Sequence, residues 1–140
     1  LLTKAAFLEG KSAFVIPNFG CEQRGGISLA FVVIDTAKVV YPKFEKADYL
    51  IVFCDRAIER VSHYVGPETR VIFGPAVTIE PGLKSNLPSN VWNIFLLGEV
   101  VRQTQIVNYE SVKTAMDERL EARFAKNPQL RDLDYKALGT

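Results

Sequence analysis

The sequence predicts an α/β domain, a mainly parallel sheet with helices on both faces. Three observations point there. Residues 49–54, Tyr-Leu-Ile-Val-Phe-Cys, are apolar without alternation, the pattern of a strand covered on both sides. A helical run at 56–64 and a second β-rich run at 69–73 follow it, which is the order of a βαβ unit. The 140 residues are 48% hydrophobic and 24% charged, enough for one core of ordinary size. A chain of this length is expected to be a single domain, residues 1–140. The arrangement expected is a Rossmann-like, three-layer α/β/α stack.

The elements follow in order. Leu2, Ala5, Ala6 and Glu9 fit the end of an amphipathic helix that Gly10 stops. Residues 13–17 predict a short strand. Residues 27–35 predict a second, rich in β-branched and aromatic side chains. These two strands flank a glycine-rich loop and can be antiparallel to each other. Residues 39–41 predict a short strand before Pro42. Asp55 is placed to cap the helix at 56–64, which Gly66-Pro67 ends. Four turn-forming residues, Gly74, Pro75, Pro81 and Gly82, and then Pro88, make 74–90 loop, with one short strand at 77–80. Ser89 or Asn90 can cap a helix from 91 to about 103 that is apolar nearly all round. A further helix over 109–124 carries the stripe Val112, Ala115, Met116, Leu120 and Phe124, and Asn127-Pro128 breaks it. Residues 129–140 make a polar tail with a few apolar anchors.

Composition excludes several function classes. The net charge is +1, so no basic excess drives nucleic-acid binding. No apolar run approaches the roughly 18 residues of a membrane-spanning helix. No secretory leader is recognisable, and a cytoplasmic location is expected. Two cysteines and one histidine are too few for a Cys/His zinc site or a four-cysteine iron–sulfur cluster. No phosphate loop of the Gly-x-x-x-x-Gly-Lys-Ser/Thr type is present. No metal ligands and no catalytic set are assigned.

The densest chemistry lies in the loop Phe19-Gly20-Cys21-Glu22-Gln23-Arg24-Gly25-Gly26-Ile27-Ser28. Three of its residues are glycine, which permits unusual backbone or close approach by another chain or ligand. Arg24 stands between them, able to present its planar fork to a carboxylate or phosphate. The plain alternative is a Gly-Gly hairpin with a solvated arginine. Asn93 is expected as a buried amide in an apolar helix, bonding either a loop backbone or a ligand. Asp55 stands at a strand's carboxyl end, where ligands bind in open α/β sheets, although a helix cap is the commoner role. Asp48 flanks the same strand at its other end. Cys54 is expected to be a buried strand residue. Cys21 is an incidental loop cysteine in the plain reading and a reactive thiol in the other. His63 has no nucleophile or acid pattern around it. The mixed charges along 113–123 make a solvated helix face.

The string from Val15 to Ser28 resembles the gamma subunit, or domain, of 2-oxoacid:acceptor (ferredoxin) oxidoreductases. The likeness continues through Ala5–Lys11, Tyr41-Pro42-Lys43, Lys46–Val52 and Asn93–Gly98, in order, over most of the chain. Two departures stand out. The sequence starts inside the helix that normally follows an opening strand and glycine-rich turn, and residues 74–90 look short by about one strand-and-helix unit, as a fragment or a deletion would leave it. The resemblance implies a complex that oxidatively decarboxylates a 2-oxoacid to acyl-CoA and passes electrons to ferredoxin. It implies thiamine diphosphate and iron–sulfur clusters in partner alpha, beta and iron–sulfur subunits, not in this chain. It implies help with assembly or the coenzyme A step, through Gly20, Glu22, Arg24, Gly25, Gly26 and Asn93. The chain alone is expected to be non-catalytic, and a homodimer is open to it when isolated. Two other classes fit the same fold, a free-standing nucleotide or coenzyme A binding module and a purely structural subunit. Pyruvate, 2-oxoglutarate, branched-chain and aryl 2-oxoacids all remain open as substrates.

Overall fold

The computed structural model describes residues 1–21 and 25–140. The chain runs α1 (Leu2–Leu8), β1 (Ser12–Asn18), β2 (Leu29–Asp35), β3 (Tyr49–Val52), α2 (Asp55–Val61), β4 (Arg70–Phe73), α3 (Trp92–Thr104), α4 (Tyr109–Lys126) and α5 (Pro128–Gly139). Short 3-10 turns at Ser62–Tyr64 and Ser89–Val91 end α2 and open α3.

The α/β class holds, but the strands are arranged differently from the expectation. Among the described residues they form two separate two-stranded sheets, not one mainly parallel sheet in a three-layer stack. β1 and β2 pair antiparallel, from Ser12 opposite Asp35 to Asn18 opposite Leu29. The short connection between them forces that direction. β3 and β4 pair parallel, Tyr49 opposite Arg70 through Val52 opposite Phe73, with α2 as the crossover. The strands expected at 39–41 and 77–80 are not formed. Val40 is 88% exposed, so a strand there would have no apolar face to bury.

The helices carry most of the core. Ile94, Phe95, Leu96, Val100 and Val101 of α3 are buried against Val112, Ala115 and Met116 of α4 and Ala137 and Leu138 of α5. Ala5 and Ala6 join them from α1. A smaller cluster of Val52, Val61 and Val77 fills the space under the parallel pair. The polar tail is in fact a 12-residue helix, α5, with Pro128 in its first turn, where the missing N–H costs nothing. It lies so close to α3 that a Cβ on Gly98 would collide with the Leu138 carbonyl. Gly10 closes α1 with φ +75, a conformation that glycine adopts without strain.

Candidate functional site

Three loops meet at the carboxyl ends of β3 and β4. β3 stops at Val52, earlier than expected, and Phe53 and Cys54 leave the sheet. Cys54 takes extended backbone (φ −153, ψ 157) at the N-cap of α2, and its side chain is exposed rather than buried. The helix begins at Asp55, which is therefore its first residue and not its cap.

The Asp55 carboxylate reaches the loop that follows β4. It accepts from the Thr78 amide at 2.8 Å, the Thr78 hydroxyl at 2.6 Å and the Ile79 amide at 3.2 Å. The Thr78 hydroxyl and amide hold the Asp55 carboxyl below its usual range, because each bond favours the ionised form. The loop itself is tightly folded. The Gly74 amide donates to the Val52 carbonyl and the Leu83 amide to the Phe73 carbonyl, both at 2.8 Å. A Cβ on Gly74 would lie 2.8 Å from a Leu96 methyl, and one on Gly82 would lie 2.7 Å from the Gly74 carbonyl. At Gly82 the obstacle is backbone, so only glycine fits there, whereas at Gly74 the Leu96 side chain would have to shift.

Arg56 extends the other way. Its guanidinium donates to the Gly25 carbonyl at 2.6 Å, which ties the end of the glycine-rich loop to the start of α2. Gly25 has φ +74, with open space where a side chain would be. The loop glycine, the β3–α2 turn and the β4 loop are thus held together by two adjacent side chains. Exposed Phe53 and Ile79 flank them. The arrangement presents arginine charge beside a rigid, partly apolar rim, suited to an anionic group or a protein surface.

The structure sorts the expected residues. Gly25 is part of the site, and Gly20 and Gly26 are exposed. Glu22, Gln23 and Arg24 lie outside the described residues. Asn93 departs from expectation: it is exposed in the first turn of α3, and forms no side-chain hydrogen bond among the described residues. The cause is that α3 turns one narrow strip outward at its start, between half-buried Trp92 and buried Ile94. Asp48 is exposed, and its carbonyl accepts from the Arg70 amide. His63 is exposed and its ring lies against Tyr64, tilted by 41° with 3.9 Å between ring centroids. Arg56 and Thr78 were not anticipated. Their partners stand 31 and 23 positions away, and no local pattern links such pairs.

Among the described residues no group of three His, Cys, Asp or Glu side chains is placed to hold a metal ion. Among the described residues no helix is long and apolar enough to cross a membrane. The family described as pyruvate ferredoxin/flavodoxin oxidoreductase matches residues 1–133. The 2-oxoglutarate synthase subunit KorC of Archaeoglobus fulgidus is 34% identical over 73 residues, which cover 52% of this chain and 39% of that protein. The pyruvate synthase subunit PorC of Methanocaldococcus jannaschii is 28% identical over 99% of this chain and 86% of its own length. The KorC subunit of the same organism is 30% identical over 80% of this chain and 69% of its own length. The crystal structure of a keto/oxoacid ferredoxin oxidoreductase gamma subunit from Geobacter sulfurreducens superposes with a TM-score of 0.71. That match covers 98% of this chain and 82% of the other, and at 21% identity it establishes the fold.

Proposed function

Because this chain belongs to the pyruvate ferredoxin/flavodoxin oxidoreductase family, we propose that it is the gamma subunit of a 2-oxoacid:ferredoxin oxidoreductase. The complex would convert a 2-oxoacid and coenzyme A to acyl-CoA and carbon dioxide, passing two electrons to ferredoxin. Thiamine diphosphate and the iron–sulfur clusters belong to partner subunits in this reading. With two cysteines and one histidine, this chain lacks the ligands for a four-cysteine cluster.

The chain's own contribution is the loop at residues 20–28. The observation that carries it is the Arg56–Gly25 bond, which fixes the loop's end beside the carboxyl ends of the parallel strands. Ligands and partners of open α/β sheets engage that end. Arg24, adjacent to the tethered glycine in sequence, supplies positive charge to a phosphate or carboxylate on a partner subunit or along the coenzyme A path. Coenzyme A, when bound, provides the thiol that accepts the acyl group. The residues here suit its anionic portion: a guanidinium at Arg56, a second in sequence at Arg24, and glycines that let backbone approach closely. Arg24 binds and orients, and performs no bond-making step.

Affinity purification of the chain from its native cells tests the assignment. Stoichiometric recovery of a thiamine-diphosphate subunit and an iron–sulfur subunit is expected. Recovery of this chain alone, or as a homodimer, overturns it. Within the complex, Arg24→Ala is expected to raise the apparent KM for coenzyme A about tenfold or to weaken assembly, as loss of a charged contact does. Unchanged assembly and unchanged KM remove Arg24 from the site.

A further inference from the structure

Asp134, in α5, is 1% exposed, and is the sole buried charged or polar side chain among the described residues. Its Oδ2 atom has no hydrogen-bond partner among them. It lies one turn before Leu138, on the face that α5 presses against α3. Ala137 and Leu138 beside it are fully buried. A carboxyl group therefore stands buried in the helix–helix seam, with one oxygen lacking a donor among the described residues. That placement favours the neutral acid, since an ionised carboxylate needs solvent or several donors.

The surrounding charges do not compensate. From α4, Arg123 attracts the carboxylate, but more weakly than burial opposes it. Asp117 of α4 is taken up by Arg131 and Tyr135 of α5. From α3, Glu99 and Arg102 pair with each other at 2.9 Å, and Arg102 also reaches the Thr140 carbonyl at the far end of α5. The 3-10 turn Ser89–Val91 carries no titratable side chain. On α5 itself, Asp132 and Lys136 are exposed.

We propose that Asp134 makes the docking of the C-terminal helix α5 onto α3 and α4 proton-dependent, seated with the neutral acid and loosened by the carboxylate. The inference is independent of the role assigned to the glycine-rich loop. An acid whose folded value is raised contributes stability below its unfolded value and loses it as pH rises through the folded value. Docking of α5 is therefore tightest in mild acid.

The test uses the whole chain. Carboxyl-carbon NMR titration of Asp134 should give a midpoint above the ordinary carboxylate value of about 3.9. Amide exchange over α5, corrected for the intrinsic pH dependence, should show protection falling by up to about tenfold per pH unit between the unfolded value and that midpoint, and levelling off above it. Asp134→Asn should keep protection constant across the same range. A midpoint in the ordinary range, or an identical pH dependence in Asp134→Asn, overturns the proposal. Should that variant fail to fold, the titration of the unaltered chain decides by itself.

Discussion

Single side chains do much of the joining in this protein, and Glu9 shows how. Its carboxylate accepts from Lys11 Nζ at 2.8 Å and from the Asn108 amide at 2.6 Å, so it fastens the end of α1 to the start of α4. Lys11 also donates to the Ile106 carbonyl. The Lys11 ammonium first, then the Asn108 amide and the Ser111 hydroxyl, lower the Glu9 carboxyl to about 2. A depressed carboxylate contributes stability above its unfolded value of 4.5 and loses it as pH falls towards 2. Glu9→Gln should therefore cost about 1 kcal/mol at pH 7 and close to nothing near pH 2, measured by urea unfolding at both. A similar cost at both pH values would remove the charge from the explanation. The sequence placed Glu9 on a helix stripe. It carried no sign of the tether, because Asn108 is 99 positions away. Arg56 and Thr78 escaped for the same reason. Arg56→Ala should speed amide exchange across residues 25–28 while leaving β3 protected, since it removes the bond to Gly25 and nothing in the sheet.

At the scale of elements, periodicity was the dependable signal and isolated strands the weak one. α3 and α4 stand where their apolar patterns put them, because each stripe is long enough to face one core. α5 was hidden, since its anchors Leu130, Leu133, Ala137 and Leu138 are spread among charges and its length is marked chiefly by Pro128. Its close seat on α3 depends on Gly98. Gly98→Ala places a Cβ against the Leu138 carbonyl, and should cost about 2–3 kcal/mol by chemical denaturation, despite alanine's better helix propensity. A neutral or stabilising result would mean that the two helices can separate without loss. The run at 39–41 and the one at 77–80 had β-like residues but no partner strand. The Asp55 carboxylate instead takes up the Thr78 and Ile79 amides.

The whole molecule joins an antiparallel hairpin, a parallel pair and a helical core. An aromatic trio links the first two: Phe31 on β2 meets Phe44 at 5.6 Å and Tyr64 at 5.1 Å between ring centroids, all edge-on. Phe31→Ala should cost about 2–3 kcal/mol and loosen the hairpin against the parallel pair, seen as faster amide exchange in β1 and β2 than in α3. Equal acceleration everywhere would show that the trio serves global stability alone. The sequence by itself determined the α/β class, the parallel β3–α2–β4 unit and the two long helices. Those follow from local composition and spacing, which residues near in the chain settle among themselves. Only the tertiary structure decided that the strands divide into two sheets and that Asn93 faces outward. It alone decided that Asp134 is buried, and that Asp55 and Arg56 draw three loops together. Each of these depends on side chains far apart in sequence competing for the same hydrogen bonds or the same buried volume.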